Sequence, residues 1–426
     1  MLIKGQGKVW IISVASYLAS LTYTMALALL KTLQDPQLVA QFQRSCGLTL
    51  KAKGEANGAA SGHSSRKTLH RSREKTTEVN GVPQENGHKP YINGSYTNGT
   101  HRQGPVRNYV VRNYLLYYLF RFAAALGQEI FYITFLPFTL WNIDSFIARR
   151  LIIVWFIVMY IGQASKDLLK WPRPSCPPVV KLETRVEAEY GMPSTHAIAA
   201  TAISFTFLLA TMERYQFPFV LGVVAALCLS TLVSLSRLYT GMHTVLDVIC
   251  GVLIALLFIA VTFPVWDYMD QLIMTNPICP VFAVIAAFLL SYNYPRLDHY
   301  STTRADTTVI LSVGAGTCVG VWIINRIGLT YVPSGVFPLG IPPITYPMLI
   351  QQVLRFVLGV TLLVIVRYIA KTLSLKALGS WHKVSTQDKL VRQRLEIEVP
   401  YKFLTYLSIG VVATSTVPWL YYRLGL

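Results

Sequence analysis

An all-α membrane helix bundle that crosses the bilayer many times is the fold class this sequence predicts, and three observations predict it. Of 426 residues, 53% are hydrophobic and only 14% are charged, against roughly 25% charged in soluble globular domains. The mean hydropathy is +0.44. The charges are also badly mixed: Lys, Arg, Asp and Glu crowd into 51–112, 166–189, 293–305 and 371–402, and the stretches between them are apolar blocks. About 20 predominantly apolar residues suffice for a helix to cross a bilayer, so the blocks predict about nine spans.

The elements follow in order. Residues 9–30, VWIISVASYLASLTYTMALALL, stand behind Lys4 and Lys8. The stretch is too long for an ordinary signal-peptide core and lacks a clear small-residue cleavage site, so within 1–34 it reads as a signal anchor or an extra span. DPQLVAQFQ (35–43) predicts a short helix with Asp35 as N-cap and Pro36 in the first helical position. The tail 35–112 is otherwise polar, and its 49–112 stretch, rich in Gly, Ser, Asn and Thr, predicts disorder. Asn93-Gly-Ser and Asn98-Gly-Thr are N-glycosylation acceptors on a lumenal segment.

Residues 113–426 then read as one membrane domain, with spans at about 122–143, 149–165, 196–213, 217–235, 244–262, 277–292, 306–325, 347–369 and 403–422. Arg355 lies near one end of its block, a place from which arginine snorkels. A re-entrant turn is one reading of 326–346. Counted from the tail, the loop at 166–195 follows two spans and the loop at 236–243 follows four. Both therefore share the tail's side of the membrane and can build one site.

The formal charge of +18 would suggest nucleic acid in a soluble protein. Here the positive residues lie between apolar blocks, where they suit membrane flanks and anionic head groups. With no zinc-finger spacing or aromatic-basic RNA module, nucleic acid is set aside as a partner and membrane lipids are expected. The six cysteines, at 46, 176, 228, 250, 279 and 318, form no CxxC pair. Four of them fall inside apolar blocks, where cysteine is a small hydrophobe.

Three stretches on the shared side carry chemistry. In Lys166-Asp-Leu-Leu-Lys-Trp-Pro-Arg173-Pro174, prolines on both sides hold Arg173 in a narrow range of directions. A rigid guanidinium fork makes a good phosphate clamp, although basic residues flank membrane helices everywhere. In Met192-Pro-Ser194-Thr195-His196, Ser194 suits an N-cap, and the free N–H groups behind it make an anion cradle. His196 opens an apolar helix there, as a wet rim residue or as a chemical one. In Ser236-Arg237-Leu-Tyr-Thr-Gly-Met-His243-Thr-Val-Leu-Asp247, His243 and Asp247 are four apart and share a helix face. Such a carboxylate fixes the imidazole tautomer and supports charge on the ring, and Asp247 at the edge of an apolar span is costly to place without a role.

Together these give three cations, one hydroxyl, two histidines and one carboxylate. Neither an acidic cluster for Mg²⁺ or Ca²⁺ nor a His/Cys array for zinc is visible, so no metal and no cofactor are expected. The cations and the hydroxyl would hold phosphoryl oxygens, while one histidine attacks phosphorus and the other protonates the departing alkoxide. A transporter or a non-enzymatic scaffold remains an alternative, though no inverted repeat of broken helices is seen.

KDLLKWPRP (166–174), PSTH (193–196) and SRLYTGMHTVLD (236–247) resemble the three signature motifs of the type 2 phosphatidic acid phosphatase superfamily of lipid phosphatases. Most members have Gly where this chain has Thr195, a departure that is a habit of the sphingosine-1-phosphate phosphatase branch. The surrounding sequence from about 110 onward, together with LQDPQLVAQFQ near the start, is similar to that branch as well; the stretch 9–30 is not. The resemblance implies the type 2 phosphatidic acid phosphatase fold, with a catalytic core at about 149–262. It implies hydrolysis of sphingosine 1-phosphate and related sphingoid-base phosphates through a phosphohistidine, another lipid phosphate such as lysophosphatidate being the alternative substrate. By position, His243 is the implied nucleophile, Asp247 its orienting partner and His196 the general acid. Lys166, Arg173, Ser194, Arg237 and the backbone of Thr195 are the implied phosphate pocket, and the site is expected at the lumenal face of the endoplasmic reticulum membrane.

Overall fold

The computed structural model describes residues 22–51, 109–183, 189–330, 333 and 335–426. Of the apolar stretch 9–30, residues 22–30 fall within this set and are helical; Asn93, Asn98 and most of the polar tail lie outside the described residues. The chain forms two units, Met1–Thr49 with Val111–Leu426, and Leu50–Val110. The first unit carries every candidate catalytic and phosphate-binding residue named above.

Helix α1 (Pro36–Ser45) starts as the sequence predicts, with the Asp35 carboxylate accepting from the Gln37 N–H at 2.8 Å and Pro36 in the first turn. Proline is tolerated there because first-turn N–H groups have no partner within the helix. The membrane helices follow: α2 (Tyr114–Leu126), α3 (Glu129–Phe138), α4 (Ser145–Leu169), α5 (Thr195–Met212), α6 (Phe219–Tyr239) and α7 (Val245–Thr262). After them come α8 (Trp266–Thr275), α9 (Ile278–Tyr292), α10 (Thr303–Arg326), α11 (Tyr346–His382), α12 (Leu395–Val411) and α13 (Val417–Leu424). Among the described residues, seven helices are long and apolar enough to cross a membrane, and the number is eight if the bent pair α2 and α3 is one span. The protein is an all-α, multi-pass membrane bundle.

Several boundaries differ from expectation for identifiable reasons. The span expected at 122–143 is two helices bent by 61°, with Asn113 capping α2 through the Leu116 N–H at 3.1 Å. The span expected at 149–165 begins at Ser145, because Arg149 and Arg150 lie inside the helix, buried and ion-paired, rather than in front of it. Arg149 grips Asp270 through Nε at 2.9 Å and Nη2 at 2.8 Å, and Arg150 pairs with Glu213 at 2.6 Å and with Asp267. The span expected to stop at 262 accordingly runs on into α8, which delivers Asp267 and Asp270.

Arg355 donates to the Trp141 carbonyl at 3.5 Å. Between Arg326 and Tyr346 no helix is found among the described residues. Leu339–Gly340 pairs in parallel with Tyr215–Gln216 there. Helix α11 has 37 residues, about 55 Å of helix against a hydrocarbon core about 30 Å thick, so it carries the charged 371–383 segment clear of the apolar layer.

Asp270→Ala should destabilise the protein by about 3–5 kcal/mol, because it strands the Arg149 guanidinium without its partner. Thermal unfolding in detergent reads this directly. A melting temperature equal to wild type would show that water, not Asp270, satisfies the arginine.

The motif-bearing helix ends meet at the opposite end of the bundle. Val154 and Val158 on α4, Ile198 and Ala202 on α5, and Ala255 and Ile259 on α7 form one buried cluster beneath them. Helix α7 approaches α5 closely because residue 251 is glycine: a Cβ there would fall 2.7 Å from the Ser194 carbonyl. Helix α1 packs at this end too, with Gln43 fully buried against Val180 and Tyr239. The base of the tail and both chemistry-bearing loops thus share one face, as the span count required.

Candidate active site

Lys166 lies in the last turn of α4, which stops where Lys170 takes a left-handed conformation (φ 52°) ahead of Pro172. The Lys166 side chain is buried, and its Nζ donates to Thr195 Oγ1 at 3.4 Å. Residue 195 therefore offers a hydroxyl contact that glycine could not make. Beyond the helix, the proline-flanked Arg173 is fixed by two backbone carbonyls, Glu189 at 2.9 Å from Nε and Met242 at 3.0 Å from Nη1. Arg237, in the last turn of α6, is 1% exposed.

Ser194 caps α5 as expected, its Oγ accepting from the Ala197 N–H at 3.5 Å, while its own N–H donates to the Asp247 carbonyl at 3.0 Å. That second bond ties the start of α5 to the start of α7. His196 stands in the first turn of α5, and its Nδ1 is buried with no hydrogen-bond partner among the described residues. Its ring lies within electrostatic range of Arg237, His243, Lys166 and Arg173.

His243 sits in the short link between α6 and α7. Gly241 makes this link feasible: its φ is +71°, and a Cβ there would fall 2.1 Å from the Val180 carbonyl. The buried Nδ1 of His243 lies 3.4 Å from Asp247 Oδ2, at an angle outside hydrogen-bond alignment. Burial pushes His243 well below the usual histidine range, and the nearby Arg173, Lys166 and Arg237 push the same way. The ring is therefore neutral near pH 7. Asp247 Oδ2 also accepts from the Thr244 N–H at 2.8 Å, and the Asp247 N–H returns a bond to Thr244 Oγ1 at 3.3 Å, a reciprocal cap on α7.

All eight residues singled out in the sequence meet here. Three others were not legible from their own neighbourhoods. Glu189 Oε2 lies 3.4 Å from Arg173 and 3.8 Å from Lys166. Glu183 reaches Arg237 at 3.0 Å. Gln43 braces the loop from outside, donating to the carbonyls of Val180 at 2.7 Å and Tyr239 at 2.9 Å and accepting from the Val180 N–H at 2.8 Å. Among the described residues, no group of three or more His, Cys, Asp or Glu side chains is placed to share a metal ion, and the six cysteines are free thiols.

The sequence pattern of the PAP2 superfamily matches residues 147–270, the segment that holds all eight of these residues. Human sphingosine-1-phosphate phosphatase 2 is 54% identical over 411 residues, covering 93% of this chain and 99% of its own length. Mouse sphingosine-1-phosphate phosphatase 1 is 37% identical over 423 residues, covering 94% and 98%. Lipid phosphate phosphatase delta of Arabidopsis thaliana is 29% identical over 200 residues, 45% of this chain and 48% of that protein. No solved structure matches. With full-length similarity on one side and the superfamily's own segment on the other, the chain belongs to the sphingosine-1-phosphate phosphatase family within the PAP2 superfamily.

Proposed function

We propose that this protein hydrolyses the phosphomonoester of sphingosine 1-phosphate and related sphingoid-base phosphates, releasing the free base and phosphate. The observation that carries the reading is the His243–Asp247 pair inside a ring of Lys166, Arg173 and Arg237, with His196 beside it. Nδ1 of His243 faces the carboxylate, so Nε2 is the atom left for attack. It forms a bond to phosphorus as the ester P–O bond breaks, and His196 delivers a proton to the sphingoid alkoxide. Water then attacks phosphorus, His196 takes a proton from it, and the P–N bond breaks to return neutral His243. The three cations, with the N–H groups and hydroxyls at the start of α5, hold the phosphoryl oxygens and neutralise their charge.

A phosphate-release panel on purified protein tests this. Sphingosine 1-phosphate should be the best substrate against lysophosphatidate, phosphatidate and glucose 6-phosphate. Activity should survive excess EDTA, since Lys166, Arg173 and Arg237 supply the charge neutralisation. Orthovanadate, which mimics the transferring phosphoryl group, should inhibit. Preference for lysophosphatidate would move the chain to another lipid phosphate, and an EDTA-silenced enzyme restored by Mg²⁺ would overturn the metal-free mechanism.

The site is proposed to face the lumen of the endoplasmic reticulum. Lys4 and Lys8 ahead of 9–30 favour a cytosolic start, and one crossing there puts the tail, its two sequons and both site loops in the lumen. Cys176 is exposed on the site loop and should resist a membrane-impermeant thiol reagent in sealed microsomes, then react once detergent opens them. Labelling in intact vesicles, with a lumenal control protein silent, would place the loop in the cytosol.

A further inference from the structure

The cationic ring holds two of the protein's own carboxylates. Glu183 lies against Arg237, its oxygens 3.0 and 3.4 Å from the guanidinium. Glu189 bridges Arg173 and Lys166 at 3.4 and 3.8 Å through Oε2, while Oε1 accepts from the Thr302 hydroxyl at 3.3 Å. A phosphate that takes these cations competes with the carboxylates for their charge, and on Arg173 and Arg237 for the N–H groups that Glu189 and Glu183 use.

The two carboxylates differ in where displacement leaves them. Glu189 cannot go far, since its own carbonyl is bound by Arg173 Nε at 2.9 Å and the Gly191 N–H holds the Trp171 carbonyl at 2.6 Å. Its neighbourhood is also acidic. Asp306, one turn along α10 from Thr302, lies within electrostatic range of Glu129 and Glu189. Moved off its cations, Glu189 would face Asp306 and Glu129, with Lys402 already within range of Asp306, so an incoming ligand that brings its own positive charge is favoured there.

A sphingoid-base phosphate brings one. Its ammonium sits on the carbon next to the phosphorylated carbon, about 5 Å from phosphorus by ordinary bond lengths. Glu189 Oε2 lies 3.4 and 3.8 Å from the two cations, so a phosphate held by Arg173 and Lys166 brings an ammonium at that separation within reach of this carboxylate. We propose that Glu189 is a specificity-determining residue: on binding it exchanges Lys166 and Arg173 for the substrate's ammonium, so that the pocket reads phosphate and amine together. A lipid phosphate without the amine would displace Glu189 and offer no replacement cation. The inference rests on the phosphatase reading of this site.

The test compares wild type with Glu189→Gln, both full length in mixed micelles. It measures kcat/KM for sphingosine 1-phosphate, and Ki for N-acetyl sphingosine 1-phosphate and lysophosphatidate as competitors, so that a lipid that is not turned over is still scored. The variant should lose about tenfold or more in kcat/KM for the amine-bearing lipid, the scale of one charge-assisted contact. Its Ki for the two lipids that lack the ammonium should stay level or fall. Glu189→Asp, which keeps the charge, should retain the preference for the amine, and it carries the test if the glutamine variant does not fold. Equal losses on all three lipids, or equal gains, would overturn the proposal; equal gains would make Glu189 only a competing anion. Wild type that releases no phosphate from sphingosine 1-phosphate fails the functional reading instead, while direct binding of sphingosine 1-phosphate and of its N-acetyl derivative to wild type and Glu189→Gln still scores Glu189.

Discussion

His243→Ala should carry no covalent phosphate after rapid quench in alkaline detergent with ³²P-labelled substrate, and its turnover should fall by about 10⁴-fold or more. The expectation rests on position. His243 Nδ1 is turned toward Asp247 at 3.4 Å, which leaves Nε2 for phosphorus, and burial with three nearby cations keeps the ring neutral. His196 is placed for a different task. It stands at the start of α5, where a proton can be delivered to the leaving oxygen, and its Nδ1 is unpaired among the described residues. His196→Ala should therefore still be labelled, slowly, from a substrate whose leaving group needs no proton. An acid-labile phosphoenzyme in His243→Ala would sink the assignment, and labelling lost only in His196→Ala would reverse the two roles.

Asp247 should separate its two duties when it is replaced in two ways. Its Oδ2 serves both His243 Nδ1 and the Thr244 N–H. Asp247→Ala removes the charge and the helix cap together, so activity should fall by about 10³–10⁴-fold and stability by about 1 kcal/mol. Asp247→Asn can leave an oxygen on the Thr244 N–H, so the cap and the melting temperature should survive. The charge that supports the imidazole while the P–N bond forms is gone, and turnover should still fall by about 100-fold or more. An asparagine variant with wild-type turnover would reduce this carboxylate to a cap.

What was legible in the sequence was local. Asp35 before Pro36, Ser194 before Thr195, and His243 four residues from Asp247 are arrangements whose partners lie within a turn, so spacing alone exposes them. The pairing of loops 166–195 and 236–243 was legible for a coarser reason: two intervening crossings return the chain to the same face. Long-range partners were not legible. Arg149 finds Asp270 across 121 residues, and nothing near either residue announces the other, so the arginines read as the edge of a span and not as its interior. Glu183 and Glu189 looked like ordinary loop charges, because only the fold brings them onto Arg237, Arg173 and Lys166. The break between α2 and α3 falls at Gly127-Gln128-Glu129, the polar interruption of the 122–143 block, and was missed because averaging hydropathy over a span-length window smooths three residues away.

Gln43 changes what counts as the enzyme's minimal unit. It lies more than a hundred residues ahead of the nearest superfamily motif, yet it satisfies both backbone groups of Val180 and holds them to the end of α6. The same Val180 carbonyl bounds the glycine turn that presents His243. A chain trimmed to its uninterrupted membrane portion, beginning at Asn113, would keep every residue of the reaction and lose this brace. Val180 would then have a buried N–H and carbonyl to satisfy by other means, next to the turn on which the nucleophile depends. The catalytic module is thus discontinuous along the chain, with one of its pieces placed ahead of the polar tail.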